Sequence, residues 1–385
     1  MMIIIISPQF PPYDDGPEAL QSLRLAKLFK ANGHKVTVIT EKLSEIQDQI
    51  TVITKRRGKY QSGLKNLLSI MKWVVWAAIQ IRKISRNKET LILSRCYPLY
   101  SHWVPLLLKR RKKLWFANWN DPAPPILHVP PYGLGSSARL RIIHRLQLYL
   151  IGRYANVHTF PSYRLLKYMS GYIKETKKNF VQIPHIGEFP LQYRHSNNQR
   201  LVLSHFGSVY YRNWEFLIEA FSLALNERPR MRTEVILKLV GWMPEETNSF
   251  VASRDLSDVV FLGKSVSPSE TLELMQDSDV LILLETTMDE GIYLPSKMGD
   301  YAISKKPIFA VSPPNGEISD MAKKFDNFYF ASVASVIEIK NELLRIYEDW
   351  TRNNLSYSEA LYDHFHPESV FGIYRNLIKQ YKKSS

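Results

Sequence analysis

Two successive series of short apolar runs, each alternating with amphipathic helical patterns, constrain this chain more than any other feature. The first series reads as strands at Ile3–Ser7, Lys35–Thr40, Leu91–Ser94, Lys113–Ala117, Val157–Phe160 and Phe180–Ile183. The second reads as Leu201–Phe206, Glu234–Val240, Val259–Phe261, Val280–Leu284, Pro307–Ala310 and Phe328–Phe330. Helical spacing occupies stretches between them, as at Ala19–Asn32, Trp214–Leu225 and Pro268–Gln276. Strands that alternate with helices pair in parallel, because each crossover returns the chain to the same end of the sheet. Between the series, the polar stretch Gly187–Arg200 reads as a linker. A length of 385 residues also exceeds what one core commonly serves. The expected class is therefore α/β, with two Rossmann-like doubly wound domains facing across a cleft. The expected boundaries are 1–187 for the first domain, 188–200 for the linker and 201–355 for the second. A helical tail, 356–385, is expected to cross back to the first domain. Ligands in such sheets bind beyond the carboxyl ends of the strands.

Charge narrows the partners. Fifty-one Lys and Arg face 36 Asp and Glu, a net +15. That excess favours nucleic acid, an acidic membrane surface or phosphorylated small molecules. The single cysteine, Cys96, excludes an internal disulfide framework and a cysteine-based zinc cluster, and suits a reducing compartment. The N-terminal "MMIIIISPQFPP" lacks a basic leader and its apolar run is short, so it reads as a buried strand. The longest apolar run, Leu67–Ile81, falls short of the roughly 20 residues of a membrane span and carries Lys72.

Four segments carry candidate chemistry. In "SPQFPPYDDGPEALQSLRLAKLFKANGHKVTVIT" a Pro/Gly loop follows the first strand. Gly16 either lets backbone N–H groups approach a ligand before the helix or belongs to a surface turn. The loop is not a GxGxxG fingerprint, so no nicotinamide cofactor is expected. In "KLWFANWNDPAPP", Asn118, Asn120 and Asp121 follow a strand, where they suit hydrogen bonds to a sugar or acceptor. Trp119 suits stacking on a ring, and an Asx-Pro turn with a core Trp is the other reading. In "LSHFGSVYYRNWEFLIEAF", Gly207 and Ser208 end a strand and Arg212 lies beyond. A cation beside a Gly-Ser turn fits a diphosphate, which Arg holds through two parallel hydrogen bonds, or else is a solvated Arg before a helix.

The densest segment is "VVFLGKSVSPSETLELMQDSDVLILLETTMDEGIYLPSKMGD". Ser267 or Ser269 caps one helix and Ser296 is expected to cap the next. Lys297 then lies in a first turn, where the macrodipole prefers acids. Its place is explained if an anion binds there; the alternative is a solvent-pointing Lys at a cost of a few tenths of a kcal/mol.

The order of these motifs, over roughly Ile3 to Asp320, resembles the GT-B glycosyltransferases of the retaining group called "glycosyl transferases group 1". "FGSVYYRN" is similar to that family's diphosphate site, and "YLPSKMGDYAISKKPIFAV" to a branch of its donor motif. "NWNDP" resembles an Asp-Phe-Arg-Asp-Pro-Trp element, and "VVFLGKSVSPSETLELMQDSDVLIL", which includes Val266, the segment flanking the nucleotide base. The resemblance implies that Gly207, Ser208, Arg212, Ser296 and Lys297 contact the donor diphosphate. It places Glu290 near the donor sugar and Gly16 at the border of sugar and phosphates. Asp300 stands where the family has a second Glu, one methylene longer, that binds the ribose. Implied too is a hexosyltransferase that moves a sugar from a nucleotide-sugar, UDP- or GDP-linked, to a lipid-linked or saccharide acceptor. Transfer would retain configuration and need no metal, with Glu290, Arg212 and Lys297 as catalytic candidates and surface polysaccharide synthesis as the setting. No cofactor is expected besides the nucleotide-sugar. The alternatives are an inactive nucleotide-sugar-binding protein of the same fold and a basic nucleic-acid-binding protein.

An apolar strip in the first domain offers one account of the +15. Leu64, Leu67, Leu68, Met71, Val74, Val75 and Ala78 follow helical spacing, flanked by Trp73 and Trp76. Lys65, Lys72, Arg82, Lys83 and Arg86 add charge, as do Lys109–Lys113 and Ala138–Arg153. The strip reads either as a helix on an anionic membrane or as an ordinary domain helix with core Trp residues. No RNP-like strand or zinc finger supports nucleic acid. The expected location is the cytoplasm, with peripheral attachment to the inner face of the membrane.

Overall fold

The structure is a computed structural model that describes residues 1–12, 16–41, 50–58, 63–108, 113–137, 139–173, 179–189, 193 and 198–383. The basic run at 109–112, the loop residues 13–15 and part of the expected linker lie outside the described residues. The chain divides into two compact units, Met1–Ile186 with Pro367–Ser385, and Gly187–His366.

Unit 1 contains β1 (Met2–Ile6), β2 (Lys35–Thr40), β3 (Thr51–Thr54), β4 (Thr90–Cys96), β5 (Lys113–Trp119), β6 (Val157–Phe160) and β7 (Asn179–Gln182). Its helices are α1 (Pro17–Ala31), α2 (Gly63–Ile84), α3 (Trp103–Leu106), α4 (Ile142–Tyr154) and α5 (Tyr163–Ser170). The strands form a parallel sheet in the order β3-β2-β1-β4-β5-β6-β7. β1 pairs on both sides, Met2 opposite Lys35 and Thr90, and all five of its residues are buried. That explains an unbroken Met-Ile-Ile-Ile-Ile run, since a central parallel strand meets helices on both faces. α1 turns Leu25, Leu28 and Phe29 inward and Lys27 and Lys30 outward.

Unit 2 contains β8 (Leu201–Phe206), β9 (Val235–Val240), β10 (Val260–Gly263), β11 (Val280–Leu284), β12 (Ile308–Ser312) and β13 (Phe328–Ser332). Its helices are α6 (Trp214–Glu227), α7 (Met231–Glu234), α8 (Glu246–Ser253), α9 (Pro268–Gln276), α10 (Lys297–Ile303), α11 (Glu317–Lys324), α12 (Val336–Thr351) and α13 (Glu359–Phe365). The sheet order is β10-β9-β8-β11-β12-β13, again parallel. In each unit the strand order reverses beside the first strand, between β1 and β4 and between β8 and β11. Loops diverge there and leave a crevice at the carboxyl ends.

The tail is two helices. His366 is extended (ψ 133°) ahead of Pro367, whose ring disfavours a helical residue before it. α13 remains in unit 2, with Leu361 and Phe365 in its core. The return to unit 1 is α14 (Pro367–Lys383), which packs on α1. Phe29 meets Phe371 and Tyr374 of α14 at centroid distances of 5.8 and 5.3 Å.

Candidate functional site

In unit 2 the crevice is built by residues from four loops. Lys297 begins α10 and its Nζ donates to the Phe206 carbonyl at the end of β8, 2.5 Å away. Arg212 donates through Nη1 to the Leu284 carbonyl at the end of β11. The two cations thus cover the ends of the two strands that flank the reversal. Between them lies Glu285, the first residue after β11, buried and accepting a hydrogen bond from Ser312 Oγ at 2.5 Å. His205, also buried, points Nδ1 at the Ile282 carbonyl, 3.0 Å away, while its Nε2 has no hydrogen-bond partner. Tyr301 closes the floor, accepting from the Phe206 N–H at 3.1 Å.

Charge in this group is unbalanced. Burial, then the nearby Arg212, push the Lys297 ammonium well below the usual lysine range, opposed by Glu285. Burial raises the Glu285 carboxyl against the pull of Ser312, Arg212 and Lys297. Burial and then the two cations hold His205 neutral. Two cations therefore face one buried acid in a part-buried crevice, where a further anion is favoured.

The glycines explain how a ligand reaches this point. Gly207 has φ +116°, and a Cβ there would lie 2.6 Å from Lys297 Nζ. Gly241, at φ +151°, packs directly on the Gly207 backbone: a Cβ would sit 2.2 Å from its carbonyl oxygen. Val209 N–H bonds the Trp242 carbonyl at 3.0 Å and locks the two loops together. Ser208 is exposed beside this turn and its Oγ accepts from the Tyr210 N–H, 3.1 Å.

The other expected donor residues fall as follows. Ser296 precedes α10 but its side chain makes no cap hydrogen bond, which corrects the expected cap; its own φ and ψ (−59°, −31°) are already helical. Ser267 does cap α9, accepting from Glu270 N–H at 3.2 Å. Glu290 is exposed on the loop before α10. The next residue is clamped: Gly291 N–H bonds the Asn315 carbonyl at 2.9 Å and Glu317 N–H bonds the Gly291 carbonyl at 2.8 Å. Asp300 accepts from the Glu188 N–H through Oδ1 at 3.0 Å. Val266 lies half-buried in the loop between β10 and α9.

Unit 1 gathers a second polar group at its own reversal point. Glu18, in the first turn of α1, pairs with Arg95 of β4 at 2.7 Å and accepts from Asn120 Nδ2. Burial outweighs Arg95 and raises the Glu18 carboxyl to about 7, with Asp121 adding to the rise. Asp121 is itself raised by burial, partly offset by His128. Asn118 donates to Thr159 Oγ1 at 3.1 Å and leaves its buried Oδ1 without a partner. Trp119 is not on an open face. It is wholly buried, donates to His158 Nδ1 at 3.1 Å and lies 4.6 Å from the His102 ring. The reading of a core Trp is the one that matches. Gly16 caps α1 at φ −62°, a conformation open to any residue.

Glu18 takes up a proton on folding between about pH 4.5 and 7, so its contribution to stability falls as pH rises through that window. Glu18→Gln should therefore gain roughly 1–3 kcal/mol relative to the native chain between the lower and upper ends of the window, by urea unfolding. An unchanged difference across the window contradicts the shifted carboxyl.

Glu285, His205, Ser312, Glu18, Arg95 and His128 are absent from the sequence-derived site. Glu285 had a visible signal, an acid directly after an apolar strand. The others become neighbours only through sheet order.

No family model and no curated protein matches the chain. Solved structures do. A sucrose-phosphate synthase from Thermosynechococcus elongatus is 15% identical at TM-score 0.70, covering 100% of this chain and 99% of its own. A glycosyltransferase from Rickettsia africae is 14% identical at 0.71 with the same coverage. A putative UDP-N-acetylglucosamine 2-epimerase from Listeria monocytogenes is 11% identical at 0.61, covering 100% and 97%. Two parallel α/β units of this order, matched over the whole chain to such structures, give the protein the GT-B fold.

Proposed function

We propose that unit 2 binds a nucleotide-sugar through its diphosphate and that the protein transfers the sugar to a lipid-linked or saccharide acceptor, with retention of configuration. The observation that carries this reading is the pair Lys297 and Arg212, facing one buried carboxylate at the strand reversal beside the Gly207 backbone. A diphosphate would replace the two strand-end carbonyls as acceptor of both cations. In transfer, the bond from the anomeric carbon to the β-phosphate oxygen breaks, and the acceptor hydroxyl bonds to that carbon on the same face. Its proton leaves with the diphosphate. Lys297 and Arg212 stabilise the charge that develops on the leaving group, and a preorganised pair does so with little reorganisation. Glu290 orients the sugar. In this reading no metal takes part, and surface polysaccharide synthesis is the setting that the lipid-linked acceptor suits.

A binding-only protein is the second reading. Asp300 favours it, because its Oδ1 is already engaged by the Glu188 N–H and its side chain is short for a ribose. Thermal-shift screening with UDP-, GDP-, ADP- and dTDP-sugars, followed by assay of nucleoside diphosphate release in EDTA, separates the readings. Stabilisation with release supports transfer. Stabilisation without release, even with candidate acceptors, supports binding alone, and no stabilisation by any donor contradicts both.

A further inference from the structure

Helix α2 is apolar on two faces. Trp73, Val74, Ala77, Ala78 and Ile81 are buried. Leu64, Leu67, Leu68, Met71, Val75 and Ile79 face outward, between 39% and 70% exposed. The outer six recur at i, i+3, i+4, i+7, i+11 and i+15, one continuous stripe. The strip read from sequence thus divides in two: Trp73 is core, packed edge-on against Tyr100 at 5.8 Å, and Trp76 is half-buried.

α4 repeats the arrangement. Leu148 and Ile151 are buried, while Ile142, Leu146 and Tyr149 are exposed at i, i+4 and i+7. α3 packs against both α2 and α4, and Arg82 of α2 donates to the Leu107 carbonyl just beyond α3. The exposed stripes therefore belong to two helices that share α3 as a neighbour.

Charge narrows the choice of what covers them. Residues 49–174 hold 23 Lys and Arg against two acids, Glu89 and Asp121. That excess is larger than the +15 of the whole chain, so the remainder is net acidic. Neither α2 nor α4 contains an Asp or Glu. Lys65, Lys72, Arg82 and Lys83 of α2 and Arg145 and Arg153 of α4 are exposed. Outward leucines ringed by long cations and free of acids match the boundary of an anionic bilayer. There the apolar chains enter the acyl region and the cations reach back to headgroup phosphates. A nucleic acid would use the cations and leave the leucines in water.

We propose that the α2–α4 face of unit 1 docks on an anionic lipid surface. This does not depend on the transferase reading. The test is co-sedimentation of the full chain with vesicles of phosphatidylcholine alone and of phosphatidylcholine with phosphatidylglycerol. Binding is expected to the mixed vesicles only and to weaken with added salt. Leu68→Asp with Leu146→Asp should abolish it. Lys72→Gln and Arg145→Gln should each weaken it about fivefold. These side chains are exposed, so melting temperature should be unchanged; should the Asp pair unfold, the single Gln variants still decide.

Absence of sedimentation with mixed vesicles at low salt overturns the proposal, as does binding that all four substitutions leave intact. Self-association lost in the Asp variant, without vesicle binding, would assign the face to a second copy. Oligonucleotide binding lost only in the Gln variants, again without vesicle binding, would assign it to nucleic acid. Either result overturns the lipid proposal.

Discussion

Lys297→Ala weakens nucleoside diphosphate binding by about 1–3 kcal/mol, and Arg212→Ala does the same, as expected for loss of a charge-assisted hydrogen bond. Loss of either cation leaves Glu285 facing the other alone, and the two effects should not add, because they share one acid and one ligand. Titration calorimetry supplies a second readout. Burial and Arg212 lower the Lys297 pKa and a bound anion opposes that shift, so binding should be linked to the protonation of Lys297. Affinity should fall as pH rises and Lys297 loses its proton, and that pH dependence should disappear in Lys297→Ala. Unchanged affinity in both variants removes the diphosphate from this crevice.

Glu290→Gln lowers turnover about 100-fold and changes donor affinity little, the pattern of a contact that strengthens in the transition state. The loop geometry supports this separation. Gly291 is held on both sides by Asn315 and Glu317, so the exchange of one exposed carboxylate for an amide should leave the backbone in place. Full turnover in the variant excludes Glu290 from the reacting site. Equal loss of binding and turnover would make it a ground-state contact instead.

The central strands were legible because they are buried on both faces, and the edge strands β7, β10 and β13 because they keep a short apolar run. β2, β6, β8 and β11 end where their apolar runs end, and β1 is displaced by one residue. β3 escaped, since Thr51–Thr54 is a part-exposed edge strand with only two apolar residues. The tail read as one helix because helical periodicity continues past His366, and only Pro367 marks the break. Gly207, Arg212 and Lys297 were legible because each stands at a strand end or helix start, positions that sequence order displays. Glu285 and His205 acquire their meaning from charges on other strands, which no local pattern encodes. The strip on α2 misled for a related reason: helical spacing finds an apolar stripe but cannot say which of two stripes meets the core.

Hydrogen exchange on the full chain, with and without UDP, GDP, ADP or dTDP, tests the central claim most directly. The nucleotide that binds is expected to slow exchange at 207–212 and 297–300, and Lys297→Ala with Arg212→Ala to remove this protection. A nucleotide that binds and protects other segments, or that protects these two equally in the double variant, would contradict it.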